Sequence, residues 1–344
     1  MRAEWTKPVV QPFTGQKIPA YLHGVIAPMF TPTNSDGTID DAGTRAWVDY
    51  LISTGAITTL FPRCGLGRMY QFSYAEVKQI IDITVDHAGD RIPVMPGTMG
   101  EWHNDPKNRP DPNVFTRQSI ELSQYAQSKG VLAIVLVLPS ALAPKDGVPI
   151  EDTIVEYFTA VAREIDVPIV IYQPPGLDPK YLMTPSLLKR LLEIKNIAGM
   201  KYSSGDLPRL SRLAMAAKGS NFALIAGDEL AFLYAMTLGA TGVIGQGSTL
   251  NPETLRAVYD RMMAGDINGA REAQFDCVRA IDIAEGLDIP TAGLMYAALK
   301  GIKVQPYTKM EAKPIYGGPA GVSISDETIK RFAREMDALR AKYQ

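Results

Sequence analysis

The feature that most limits what this 344-residue chain can become is an alternation, repeated eight times, of short apolar runs with longer segments of helical period. The apolar runs fall at 24–28, 58–62, 92–96, 132–138, 168–172, 197–201, 223–226 and 242–244. Several are unbroken, as expected of strands buried on both faces of a parallel sheet. Helical patterns between them lie near 114–129, 150–165, 184–192, 207–217 and 229–238, each with an apolar stripe. Asp40 and Asp41 precede an earlier one, Ser73 with Glu76 forms a capping box, and Asn251 stands before a first-turn Pro252. Eight such units predict a closed (β/α)8 TIM barrel rather than an open doubly wound sheet. No G-x-G-x-x-G follows the first strand, which argues against dinucleotide binding.

The alternation covers residues 21–264. Residues 1–20 have no clear period and read as an arm that packs on the body or on a neighbouring subunit. Residues 265–344 carry helical patterns at 270–284, 291–299 and 326–343 with no strands between them, and a proline- and glycine-containing connection at 305–321. They read as a C-terminal helical appendage that packs on the outside of the barrel or on another subunit.

Composition narrows the function. Apolar residues make up 46% and charged residues 21%, and the net charge of −2 offers no basic footprint for nucleic acid or an anionic membrane. No apolar run approaches the roughly 20 residues of a spanning helix, and the first residues lack the apolar core of a signal peptide. Cys64 and Cys277 are too few for a disulfide framework and wrongly spaced for zinc. The three histidines are far apart, so no metal site is expected. A cytoplasmic enzyme or small-molecule-binding protein is the expectation.

Barrel sites lie at the carboxyl ends of the strands. The sixth run ends in Lys201, followed at once by Ser203-Ser204-Gly205-Asp206. An ammonium at the mouth of an apolar core should have a lowered pKa, and a neutral amine is what a Schiff-base nucleophile requires. Tyr172 ends the fifth run at the same level, one strand away, where a phenol can carry protons. After the second run, Gly65 and Gly67 make a tight turn whose amides can face an anion. Gly245, Gln246 and Gly247 follow the eighth run, beyond Ile244. After the seventh, Asp228 and Glu229 either bind hydroxyls or simply cap a helix. The long loop 97–113, with Trp102, His103, Asp105 and Arg109, has the character of a lid.

These residues resemble the dihydrodipicolinate synthase/N-acetylneuraminate lyase family of class I, Schiff-base aldolases and lyases. The resemblance spans about residues 24–299 and is carried by Ala27-Pro28-Met29-Phe30-Thr31-Pro32, Asp36-Gly37-Thr38-Ile39-Asp40, Tyr172-Gln173-Pro174-Pro175-Gly176, Lys201-Tyr202-Ser203-Ser204-Gly205-Asp206 and Gly239-Ala240-Thr241-Gly242-Val243-Ile244-Gly245. It implies a barrel with a C-terminal helical domain, a homotetramer built as a dimer of dimers, and no cofactor. It also implies that Lys201 condenses with pyruvate or another 2-oxo acid while Tyr172 relays protons. The chain departs from the family at Cys64-Gly65-Leu66-Gly67-Arg68, where Gly-Thr-Thr-Gly-Glu is usual. The hydroxyls that bind the oxo-acid carboxylate are then replaced by the Gly65 and Leu66 amides, with charge from Arg63 or Arg68. No phenol stands at 139–143 and no arginine follows Pro175, so synthase activity is not expected. Asp228-Glu229 resembles the sugar-hydroxyl pair of the lyase branch. Substrate contacts are therefore expected from Gly65, Leu66, Arg68, Asp228, Ile244, Gly245 and Gln246. The expected reaction joins or cleaves a 2-oxo acid and an aldehyde. The alternatives are dehydration of a 2-oxo-3-deoxy sugar acid through the same imine, or a barrel that binds a small acid without turnover.

Overall fold

The computed structural model describes residues 3–310 and 323–344. The chain opens with α1 (Ala3–Thr6) and a hairpin of β1 (Pro8–Val10) and β2 (Lys17–Pro19). There follow β3 (Gly24–Pro28), α2 (Asp41–Ser53), β4 (Ile57–Phe61), α3 (Tyr74–Ala88), α4 (Pro112–Ser128), β5 (Ile134–Val137), α5 (Ile150–Ala162) and β6 (Ile169–Gln173). Next come α6 (Pro185–Leu191), β7 (Ile197–Tyr202), α7 (Leu207–Ala216), β8 (Ala223–Ala226), α8 (Phe232–Thr237), β9 (Gly242–Val243) and α9 (Gly247–Leu250). Then α10 (Pro252–Met263), α11 (Ile267–Ala284), α12 (Ile289–Leu299) and α13 (Asp326–Arg340) end the described chain.

Strands β3 to β9 form one parallel sheet in the order β4-β3-β9-β8-β7-β6-β5. Every residue of β3, β5, β6 and β8 is buried, which is why their sequences are unbroken apolar runs. The expected strand at 92–96 is not one. Pro93 and Pro96 have no N–H, so a continuous ladder cannot form there. The segment still spans the two edge strands. On one side Leu60 N–H donates to Pro93 O and Met95 N–H to Leu60 O; on the other Val135 N–H donates to Pro96 O and Thr98 N–H to Val135 O.

The arm is ordered as the hairpin, and the buried Gln11 amide fastens it to its own chain, donating to Met236 O (3.2 Å) and Ala240 O (3.3 Å). The helix expected over 229–238 is split into a 3-10 turn, Glu229–Ala231, capped by Asp228, and α8. The connection at 305–321 lies outside the described residues from 311 onward. At the C-terminus, the Arg340 side chain of α13 makes two bonds to Glu253 of α10 (2.9 and 2.6 Å), and both side chains are buried.

One buried group ties this packing to pH. His23 lies with Nδ1 2.9 Å from the Tyr259 hydroxyl, and burial lowers its pKa from 6.5 to about 4. The unfolded chain therefore binds this proton at a higher pH than the folded one. Stability that is present above pH 6.5 is lost as the pH falls through that interval toward 4, by at most about 3 kcal/mol at 1.36 kcal/mol per unit. His23→Asn, which cannot titrate, is expected to flatten the stability profile there in urea unfolding. An unchanged slope would place the acid sensitivity elsewhere.

Candidate active site

The sheet register sets the central pair. Tyr172 of β6 and Lys201 of β7 are direct partners, at the carboxyl ends of adjacent parallel strands. Lys201 is 2% exposed, with Nζ 4.4 Å from the centroid of the Tyr172 ring and 5.8 Å from that of Phe61. Tyr172 is fully buried and packs edge-on against Phe61, centroids 6.1 Å apart. Burial lowers the Lys201 pKa from 10.5 to about 8, against the opposing pull of Cys64 and Glu229. At pH 7 about one amine in ten is then uncharged, against about one in three thousand for an exposed lysine. Few positions in an apolar core tolerate that group without a chemical reason.

The turn after β4 is built from the inside. Arg63 and Arg68 both adopt positive φ (51° and 62°). The buried Cys64 thiol donates to Met29 O (3.3 Å), and its sulfur receives the Gly67 amide (3.3 Å), with the Leu66 amide also turned toward it. The turn thus folds around the sulfur. Arg68 is engaged within the protein. Its guanidinium is buried against Asp288, the N-cap of α12, so a carboxylate of the protein already meets its charge. Gly65 accepts the Arg68 amide at its carbonyl, 3.1 Å away. Arg63, fully buried, donates to Gly97 O (3.4 Å), Met99 O and Gly100 O (3.4 Å), and burial lowers its pKa to about 10. The start of the loop expected to be a lid is thereby bolted down. Gly100 N–H also donates to Ser119 Oγ (2.8 Å), and Trp102 packs edge-on against Tyr70.

The other side of Lys201 is polar. Asp228 accepts the Leu230 amide (3.0 Å), which is the capping role, and its side chain also faces a cavity. Glu229 is 5% exposed; its Oε1 accepts the Gly247 amide (2.9 Å), and the Gln274 amide of α11 donates to its backbone carbonyl (2.8 Å). A Cβ at Gly245 would lie 1.4 Å from Glu229 Oε2, so a side chain there would push the carboxyl out of its present place. Burial raises the Glu229 pKa from 4.5 to about 7; Asp228 adds to this, while the Gly247 amide and Lys201 oppose it. Ile244 is buried and its amide donates to Ala226 O (2.8 Å). The cavity here, about 330 Å³, is lined by Ser203, Ser204, Asp228, Glu229 and Gln246 among others. The Ser203 hydroxyl is buried and finds no partner among the described residues. A larger cavity of about 900 Å³, bordered by Tyr50, Glu253, Arg340 and the chain's last residues, shares no residue with it.

Two residues of this site go beyond the sequence expectations: Glu229 as the inward carboxyl, and Ser203. Ser203 had a signal, since it stands two residues beyond Lys201 and strand side chains repeat with period two. Glu229 had a weaker one in the glycines at 245 and 247, which leave room for its carboxyl. Among the described residues no group of three or more His, Cys, Asp or Glu is placed to hold a metal ion, and no helix is long and apolar enough to cross a membrane.

The parallel α/β fold thus sets a desolvated lysine beside a tyrosine at the carboxyl edge of its sheet. Residues 21–310 match the dihydrodipicolinate synthetase family, and the chain belongs to it. It is 30% identical over 256 residues to 4-hydroxy-tetrahydrodipicolinate synthase of Methanospirillum hungatei, covering 74% of this chain and 81% of that protein. The Methanothrix thermoacetophila protein of the same name is 31% identical over 257 residues, covering 74% and 79%. Among solved structures, a prophage protein of the dihydrodipicolinic acid synthase family from E. coli, in complex with pyruvate, superposes with a TM-score of 0.75 at 24% identity, covering 94% of this chain and 99% of that one. N-acetylneuraminate lyase from Mycoplasma synoviae does so at 0.73 and 18%, covering 94% and 98%. Members of the family are thus lyases, and the chain is a member of an enzyme family. The relatives' shared name gives no support to the exclusion of synthase activity drawn from the missing phenol and arginine.

Proposed function

We propose that the protein is a Schiff-base-forming lyase that joins or cleaves pyruvate, or a similar 2-oxo acid, and an aldehyde. The Tyr172–Lys201 pair carries this reading: a buried amine with a pKa of about 8, 4.4 Å from a phenol ring. The neutral Lys201 amine adds to the C2 carbonyl and water leaves, giving an imine. Once protonated, the imine accepts the electron pair of the C3–C4 bond of a 4-hydroxy-2-oxo acid, so the aldehyde departs and an enamine remains. Tyr172 delivers the proton to C3, and water then releases the acid from Lys201. The imine is the electron sink, so the chemistry calls for neither a metal nor an organic cofactor. Ser203, Ser204, Asp228, Glu229 and Gln246 offer hydroxyl-binding groups around the cavity, which favours a hydroxylated aldehyde half. With this reading go a barrel closed through 92–97, an arm at 1–20 and a helical region at 265–344, and a homotetramer working in the cytoplasm.

A second reading is synthase activity, favoured by the names of the relatives; it predicts condensation of pyruvate with a carboxylate-bearing amino-aldehyde. Dehydration of a sugar acid uses the same imine but releases no aldehyde, so product analysis separates it. The common step is tested first. Borohydride with saturating pyruvate is expected to leave a reduced adduct on Lys201, located by peptide mass spectrometry. An unmodified chain would remove the imine reading for pyruvate.

A further inference from the structure

The imine has a proton-carrying group on one flank, Tyr172 from β6, and β7 has a second neighbour, β8. β8 ends level with β7, Ala226 opposite Tyr202, and Glu229 follows three residues later, within electrostatic range of the amine. Glu229 feels the charge of Lys201, as Lys201 feels that of Glu229, and it borders the cavity that Ser203 and Ser204, just beyond Lys201 on the chain, also line. We infer that Glu229 is a second catalytic acid–base group, acting on the oxygen of the aldehyde half while Tyr172 serves the carbon of the pyruvate half. The inference rests on the imine reading above.

Three observations separate Glu229 from a residue that merely caps or binds. Asp228 already supplies the cap of the following turn, so Glu229 is not needed for it. The carboxyl is held rather than free: the Gly247 amide fixes Oε1, the absent side chain at Gly245 makes room for Oε2, and Gln274 of α11 grips the backbone carbonyl. And the groups that face it leave it poised. Lys201 from β7 and the Gly247 amide favour the ionised form, whereas burial and Asp228 favour the protonated form; Cys277 of α11 is the other titratable group that senses it. The balance falls near neutrality, where one carboxyl can both take and return a proton.

In the cleavage direction, the Glu229 carboxylate takes the proton of the C4 hydroxyl as the C3–C4 bond breaks. The O–H electron pair becomes the second bond of the aldehyde carbonyl. The C3–C4 pair becomes the C2=C3 bond of the enamine, and the imine π pair settles on nitrogen. In condensation, protonated Glu229 gives the same proton to the nascent C4 oxygen. No oxidant or reductant enters.

Glu229→Gln keeps an acceptor for the Gly247 amide and removes the proton carrier. Three readouts on wild type and variant decide: borohydride trapping of pyruvate, exchange of the pyruvate methyl protons in D2O, and condensation of pyruvate with glycolaldehyde, glyceraldehyde or erythrose. The variant is expected to trap pyruvate and exchange its methyl protons as the wild type does, which also reports an intact fold. Its condensation should fall roughly 10²–10⁴-fold, and the limb of the kcat profile near pH 7 should vanish. Condensation within a few-fold of wild type overturns the inference. So does loss of trapping or exchange along with condensation, and so does a wild-type chain that traps pyruvate yet condenses none of the three aldehydes. A wild-type chain that traps no pyruvate instead overturns the imine reading on which this one stands.

Discussion

Lys201→Met is expected to be inert and, at neutral pH, more stable than the wild type. The activity half follows from the missing amine: without it no imine forms, and neither Tyr172 nor Glu229 has a bound substrate to act on. The stability half follows from the direction of the pKa shift. The folded amine titrates at about 8 and the unfolded one at 10.5, so between those values the unfolded chain holds the extra proton. Folding is therefore penalised below pH 8, and the penalty fades as the pH rises from 8 to 10.5. Its size at pH 7 is about 3 kcal/mol at 1.36 kcal/mol per unit, an upper bound because the buried amine also makes contacts. Methionine keeps the packed methylenes and loses only the charge. Urea unfolding at pH 7 and pH 10 should show a gap of about 1–3 kcal/mol in favour of the variant that narrows at the higher pH. Such an exchange of stability for function is common at active sites. A variant less stable than wild type at pH 7, or one with substantial turnover, would count against a buried amine maintained for chemistry.

The parts of this site that the sequence made legible are those whose cause is local. Unbroken apolar runs announce strands buried on both faces, and a lysine and a tyrosine at the ends of two consecutive runs must meet once those strands pair in register. Where the cause is distant, the residues misled. Arg68 in its glycine turn reads as a source of charge for a substrate, but Asp288, which it meets, is 220 positions away, in a helix no strand pattern foretells. The run at 92–96 was apolar enough to count as a strand; two missing N–H groups leave it with isolated bridges instead. In the pair Asp228-Glu229, the choice of the inward carboxyl depends on the backbone. Continuing a regular helix through 229–238 leaves the two equivalent, whereas the observed 3-10 turn makes the first the cap and buries the second. Nor does anything in the order of residues show that the Gly67 amide bonds the Cys64 sulfur.

Tyr172→Phe is expected to separate proton transfer from binding. The ring remains, and with it the edge-on contact to Phe61 and the aromatic face presented to the Lys201 amine. Only the phenolic oxygen is lost, so the buried strand-end packing should survive, and borohydride should still trap pyruvate on Lys201. Turnover should fall roughly 10²–10⁴-fold, the usual worth of a positioned acid–base group. The chain has glycine and leucine at 65 and 66, where its family usually carries the threonines that pass protons to this tyrosine. On the proposed mechanism Tyr172 is the group that carries the C3 proton. Exchange of the pyruvate methyl protons in D2O should accordingly collapse in Tyr172→Phe while persisting in Glu229→Gln. If exchange and turnover both stay near normal, Tyr172 is a packing residue, and the C3 proton must come from another group near the amine, with the buried Cys64 thiol beneath the turn the next to test.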